Sequence, residues 1–163
     1  MWDMESPLLE GGDLGEALRK LATYITSGAV TPRVEVTGEP VTLPRATLHH
    51  LVRIAQEATT NALRHAAPRG IVIRLAYLPE NVLLEIADDG AGFQADAVLN
   101  QAGHFGLRGI RTRAKKLRGA LTIVSAPGEG TAIRVLVPHL PAKSHDLRPA
   151  ESHLAHPHQD PAR

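Results

Sequence analysis

Three clusters of residues in this chain have types and spacings that could do chemistry. In RIAQEATTNALRHA, Glu57, Asn61 and His65 recur at i, i+4 and i+8, and on a helix that spacing sets them along one strip. A carboxylate and a carboxamide one turn apart offer an oxygen to a hard cation and hold a water or hydroxyl. A Mg²⁺–phosphate site needs little more, because Mg²⁺ keeps several waters and takes few side-chain ligands. The same spacing also describes a polar strip facing solvent. The second cluster, EIADDGAGF, runs a hydrophobic strand into Asp88-Asp89 and then Gly90-Ala91-Gly92. A carboxylate at a strand end can accept a hydrogen bond from an exocyclic amine, and missing Cβ atoms let a planar ring approach the backbone. A plain Asp-Gly turn has the same letters. The third, GHFGLRGIRTRAKKLRG, sets Gly103, Gly106 and Gly109 around a helix start, where unpaired N–H groups and the positive dipole end favour phosphate. Arg108, Arg111, Arg113, Lys115, Lys116 and Arg118 make that helix basic. They read as a solvated face with one or two cations near enough to steer a nucleotide. A nucleic-acid surface fits less well, given few aromatics and balanced charge.

These clusters need elements to carry them. Residues 12–27 place Leu14, Leu18, Leu21, Ala22 and Ile25 at helical spacing, with Asp13 as N-cap and Gly28 as stop. RVEVTG is a short alternating strand. Pro44 suits the first turn of a long helix running to about Ala67, where Pro68 forbids continuation. IVIRLAYL (71–78) and VLLEIAD (82–88) are strands joined by Pro79-Glu80-Asn81, Pro setting φ and Asn tolerating the left-handed region. A glycine-rich loop follows from about Gly90 to Gly106, then a helix over 107–118 with Gly119 just past its end. ALTIVS and TAIRVLV are two further strands, joined at Pro127-Gly128, the pairing a type II turn prefers. Strands come in adjacent antiparallel pairs rather than alternating singly with helices. The expected fold is therefore a two-layer α/β sandwich, a mixed sheet with helices on one face, and not a Rossmann fold.

Composition narrows the remaining classes. A length of 163 residues suits one domain with a real core. A net charge of +1, from 18 Lys+Arg and 17 Asp+Glu, exerts no global pull toward nucleic acid or acidic lipid. With no cysteine there is no disulfide framework, Cys-ligated zinc or cysteine nucleophile. The acidic start MWDMES is unlike a signal peptide, and no apolar run reaches the roughly 18 residues of a membrane span. A soluble, cytoplasmic domain is expected. Of nine histidines, His139, His145, His153, His156 and His158 fall after Pro138 in a proline-rich stretch, 139–163, that reads as a disordered tail. His49 and His50 lack an acidic neighbour and read as surface or packing residues.

Taken together, the order and spacing of the clusters resemble the ATP-binding catalytic domain of sensor histidine kinases. That domain lies within the superfamily of gyrase, MutL and the heat-shock ATPase chaperones. EATTNALRHA resembles the N box, DDGAGF the G1 box, GHFGLRGIRTRA the G2 box, and GEGTAIRVLVP the closing strand-turn-strand. The wording GLRGIRTRAKKLRGAL is similar to the subfamily whose kinases pair with LuxR-type response regulators. The resemblance spans about residues 8–138 and implies the Bergerat ATP-binding fold over 12–138.

The resemblance implies roles as well. Asn61 would coordinate the Mg²⁺ bridging the phosphates of ATP, and Glu57 would orient or deprotonate the nucleophile. Arg64 and His65 would contact phosphates, and His104 and Leu107 would border the site. Asp89 would bind the adenine amino group, with Thr131 supporting it through a water. Gly90 and Gly92 would shape the adenine pocket. Gly103, Gly106 and Gly109 would end a short lid, about Gln94 to Phe105, and cradle the phosphates. The family's phosphoacceptor helix is not found in the chain, and residues 1–11 resemble the junction from such a helix. The chain is therefore expected to bind Mg-ATP as a monomer, to lack an acceptor of its own, and to act on the phosphoacceptor/dimerisation domain of a parent kinase, soluble or membrane-anchored. Two other readings stay open: an anti-sigma-factor-type serine kinase of the same superfamily, and a non-catalytic nucleotide-responsive interaction module.

Overall fold

A computed structural model describes residues 12–25, 30–94 and 105–139. Helix α1 spans Leu14–Tyr24, strand β1 Arg33–Thr37, and helix α2 Arg45–Asn61, which runs straight into a π-helical turn at Ala62–Ala66. Strands β2 (Ile71–Tyr77) and β3 (Asn81–Asp88) follow, then helix α3 (Phe105–Lys116), β4 (Ala120–Ser125) and β5 (Thr131–Pro138). The strands form one sheet in the order β1-β2-β3-β5-β4. β1 and β2 are parallel, which demands a crossover, and α2 supplies it. The other three pairings are antiparallel. The fold is the mixed α/β sheet with helices that the order of elements implied.

Alternation in the strands decides which side the helices cover. Ile71, Ile73, Leu75 and Tyr77 of β2 are buried, as are Val82, Leu84 and Ile86 of β3 and Ile133, Val135 and Val137 of β5. They pack with Leu18 and Leu21 of α1, Leu51, Ile54 and Ala58 of α2, and Ile110 and Ala114 of α3 in one core. The residues between them point away from the helices, where Arg74 and Arg134 are exposed.

Local signals behaved largely as their chemistry requires. Asp13 caps α1, its Oδ1 accepting the Glu16 N–H at 3.1 Å. Pro44 sits one place earlier than the first turn, at the N-cap, its carbonyl accepting the Leu48 N–H. Gly128 has φ 84°, and the Glu129 N–H bonds the Ala126 carbonyl at 3.0 Å, as a type II turn requires. Asn81 takes no left-handed conformation; it opens β3 opposite Pro138. At the end of α3 the left-handed residue is Arg118, at φ 52°, not Gly119. The Gly119 N–H reaches the Ala114 carbonyl and the Arg118 N–H that of Lys115, so the helix closes in a Schellman motif around an arginine. Gly28, the expected stop of α1, lies outside the described residues, as do residues 1–11 and 140–163.

Candidate active site

Between the helix layer and the end of the sheet lies a cavity of about 650 Å³, a size that suits a small-molecule ligand. Its walls come from four places. The end of α2 and the π turn supply Glu57, Asn61, Arg64 and His65, and the start of α3 supplies Gly106 and Leu107. The loop after β3 adds Gly92 and Phe93, and the sheet adds Ile86, Asp88, Thr131 and Ile133.

At one end, Glu57 and Asn61 converge on the backbone of α3. A Cβ at position 106 would meet Glu57 Oε1 and stand 2.6 Å from Asn61 Nδ2, so any side chain there would have to push the ends of those two polar groups aside. The carboxylate and the carboxamide therefore meet at one point of the cavity, as the i, i+4 spacing anticipated. A single carboxamide oxygen beside a carboxylate fits Mg²⁺ carried by phosphates, which asks for few protein ligands. Arg64 and His65 are exposed on the turn, at the cavity's rim.

At the other end Asp88 is half-buried, with Oδ1 accepting the Gly90 N–H at 2.8 Å. Burial holds its carboxyl above the usual range, the Asp89 charge adds to the rise, and the Gly90 N–H opposes it. Asp88 faces Thr131 across the β3–β5 ladder. Thr131 is held by Ser125, whose Oγ lies 2.9 Å from Thr131 Oγ1 and donates to the Gly130 carbonyl at 2.9 Å. Ser125 Oγ also accepts the Phe93 N–H at 2.9 Å. A serine has one proton, so the Thr131 hydroxyl must donate to Ser125 and turns its lone pairs outward. Asp88 and Thr131 thus present acceptors to a ligand amine, over an apolar floor of Ile86 and Ile133.

The adenine role expected of Asp89 meets a different geometry. Its carboxylate points away from the cavity and accepts the backbone N–H groups of Arg69 and Gly70, both at 2.8 Å. The Gly70 N–H leads in holding its pKa below the ordinary value, and Arg69 adds to it. Asp88 takes the inward position because it shares the parity of Val82, Leu84 and Ile86 along β3, all buried toward the helices. The strand's own alternation was the signal that distinguished the pair. Gly90 does not line the cavity but backs it, leaving no room for a Cβ against Ala66. Gly92 does line it, at φ 60° and against the Ala126 carbonyl. Gly109 lies a turn along α3, beside Arg113, and is not part of the lining. Gly103, His104 and most of the lid fall outside the described residues. Ser125, Phe93 and the apolar floor went unnoticed in the sequence because nothing local marks them.

Comparison with known proteins gives this geometry a family. Residues 46–141 match the family described as histidine kinase-, DNA gyrase B-, and HSP90-like ATPase. The chain is 35% identical over 130 residues to the sensor protein VraS of Staphylococcus saprophyticus, covering 80% of this chain and 37% of that protein. It is 33% identical over 138 residues to VraS of Staphylococcus aureus, covering 85% and 39%. It therefore spans well under half the length of these relatives. Among solved structures it is similar to the histidine kinase domain of the Erythrobacter litoralis EL346 blue-light activated histidine kinase. The TM-score there is 0.64 at 27% identity, over 77% of this chain and 61% of that one. The Acinetobacter baumannii histidine kinase AdeS shares the fold, with a TM-score of 0.58 at 17% identity, over 77% of this chain and 60% of that one. The family match takes in all but the first residue of α2, the whole cavity wall and every strand from β2 onward, and the protein belongs to the histidine kinase-, DNA gyrase B-, and HSP90-like ATPase family.

Proposed function

We propose that the cavity binds Mg-ATP and that the chain passes the γ-phosphate to a histidine on a separate phosphoacceptor/dimerisation domain, in two-component signalling with a LuxR-type response regulator. The observation that carries this reading is the polarity of one cavity: paired acceptors and an apolar floor at one end, Glu57 and Asn61 at the other. Asp88 would accept a hydrogen bond from the adenine amino group, and Thr131 would act beside it directly or through a water. Arg64 and His65 would reach the phosphates, with Gly106 and Leu107 at the amino end of α3 closing over them. Asn61 would hold the Mg²⁺, which when bound neutralises phosphate charge. Glu57 would accept the imidazole proton as the acceptor nitrogen bonds to the γ-phosphorus. The bond to the β–γ bridging oxygen then breaks and ADP leaves. Phosphoryl transfer asks mainly for positioning and charge neutralisation, and these are the parts present.

The test has two stages. Calorimetric titration should show ATP binding that weakens when Mg²⁺ is withdrawn or Asn61→Asp is introduced. Asp88→Asn should cost about tenfold or more, the value of a hydrogen bond to a charged group. Incubation with [γ-³²P]ATP should leave the chain alone unlabelled and should give acid-labile label on an added phosphoacceptor domain. Acid-stable label on a serine would move the chain to the anti-sigma-factor type, and Asp88→Asn binding ATP like wild type would remove the adenine assignment.

A further inference from the structure

Asp88 and Asp89 are adjacent but face apart, and the outward one is tied to the site through the backbone. Besides the bonds from the Arg69 and Gly70 N–H groups to Asp89 Oδ1, the Asp89 N–H reaches the Gly70 carbonyl at 3.3 Å and the Ala91 N–H reaches the Ala66 carbonyl at 2.8 Å. Four hydrogen bonds thus strap segment 66–70 to segment 89–91. Segment 66–70 is the exit of the π turn, where Ala67 holds φ 44° and Pro68 has no N–H to offer. A left-handed alanine is unfavourable by itself, so the turn needs outside ties to end where it does. That turn carries Arg64 and His65 on the cavity rim. The Arg69 side chain adds little: its Nε is 3.9 Å from Asp89 Oδ2, and 93% of the side chain is exposed.

We propose that Asp89 is a positioning residue, which holds the π turn through the Arg69 and Gly70 amides so that Arg64 and His65 face the phosphates of the nucleotide. The proposal rests on the reading that the cavity binds Mg-ATP. It separates the two carboxylates by function: Asp88 meets the ligand at the adenine end, and Asp89 sets the wall at the phosphate end without touching the ligand.

The difference shows when the ligand is shortened. Asp89→Ala should bind adenosine within about twofold of wild type but ATP about tenfold more weakly, the scale of losing a charge-assisted hydrogen bond. Asp89→Asn, whose carboxamide oxygen can accept the same two N–H groups, should restore ATP binding to within about twofold. Arg69→Ala should do no harm, because the donors are main-chain. In ¹⁵N-labelled wild-type protein the Arg69 and Gly70 amide resonances should titrate together in acid with the Asp89 carboxyl, and in Asp89→Ala they should not. Should Asp89→Ala not fold, Asp89→Gln, which moves the amide oxygen one methylene out, makes the same comparison. Equal losses for adenosine and ATP, or no loss for ATP, would overturn the proposal. Failure of wild type itself to bind ATP would instead sink the underlying reading and this one with it.

Discussion

At position 106 the backbone of α3 lies so close to Glu57 and Asn61 that a Cβ fits only if the ends of both side chains turn aside. Gly106→Ala therefore displaces the two polar groups proposed to serve the phosphate end. Both are only half-buried and have room to move, so the fold should survive. The expected outcome is a loss of ATP affinity of about tenfold or more with the thermal midpoint little changed, read by calorimetry beside a melting curve. Asp88 and Asp89 teach the complementary lesson. Their letters are equal, and only the parity of the strand beneath them says which faces the cavity. Glu57, Asn61 and Thr131 were legible as types and positions. Ser125, which fixes the orientation of the Thr131 hydroxyl, was not, because its partners Phe93 and Gly130 come from two different loops.

At the scale of elements, the strands carry a second design on the side away from the helices. Glu35, Arg74, Glu85 and Arg134 stand in register across β1, β2, β3 and β5. Arg74 bridges Glu35 at 2.9 Å and Glu85 at 2.5 Å, and Arg134 also pairs with Glu85. Burial alone would raise the Glu85 pKa, but the Arg134 and Arg74 guanidiniums outweigh it and hold the carboxyl below its ordinary value. The two arginines are nearly half exposed and can turn to water, so losing Glu85 does not strand two buried charges. Glu85→Ala should then destabilise by about 1–3 kcal/mol in urea unfolding. ATP affinity should stay within about twofold, since Glu85 and Asp88 lie on opposite faces of β3. The elements themselves were legible because 3.6- and 2-residue periods are local properties of the chain. The π turn after Asn61 was not: ALRHA carries no period that separates it from α-helix, and its exit is held by residues around position 89.

Across the whole molecule, the seam between α2 and α3 ties stability to pH. His49 and His50 are half-buried there, rings edge to face at 5.7 Å, with His50 Nδ1 buried and without a hydrogen-bond partner among the described residues. Burial lowers both pKa values. Arg53 and Arg113 add to the effect at His49, and His49, Lys116 and Arg113 add to it at His50. A base whose pKa is lowered on folding takes up its proton first in the unfolded chain. Its contribution is therefore full above the unfolded value near 6.5 and is lost as pH falls through the folded values. Thermal midpoints should decline from about pH 6.5 downward, and the His49→Gln, His50→Gln double variant should flatten that limb. A limb unchanged in the double variant would assign it to other groups.

The sequence alone determined the kinds of chemistry and the elements that bear them: a carboxylate and carboxamide one helical turn apart, acidic residues at a strand end, glycines at a helix start. Those follow from spacing along one stretch of chain, where backbone geometry leaves few choices. Only the tertiary structure decided that Asp88 rather than Asp89 enters the cavity and that Thr131 stands opposite it. It also decided that α3 closes on α2 through a glycine, and that the π turn is tied from the far side of the loop. Each of these joins residues distant in the chain through the sheet order β1-β2-β3-β5-β4 and the packing of helices on one of its faces. Burial and hydrogen-bond satisfaction select that arrangement collectively, and no single segment encodes it.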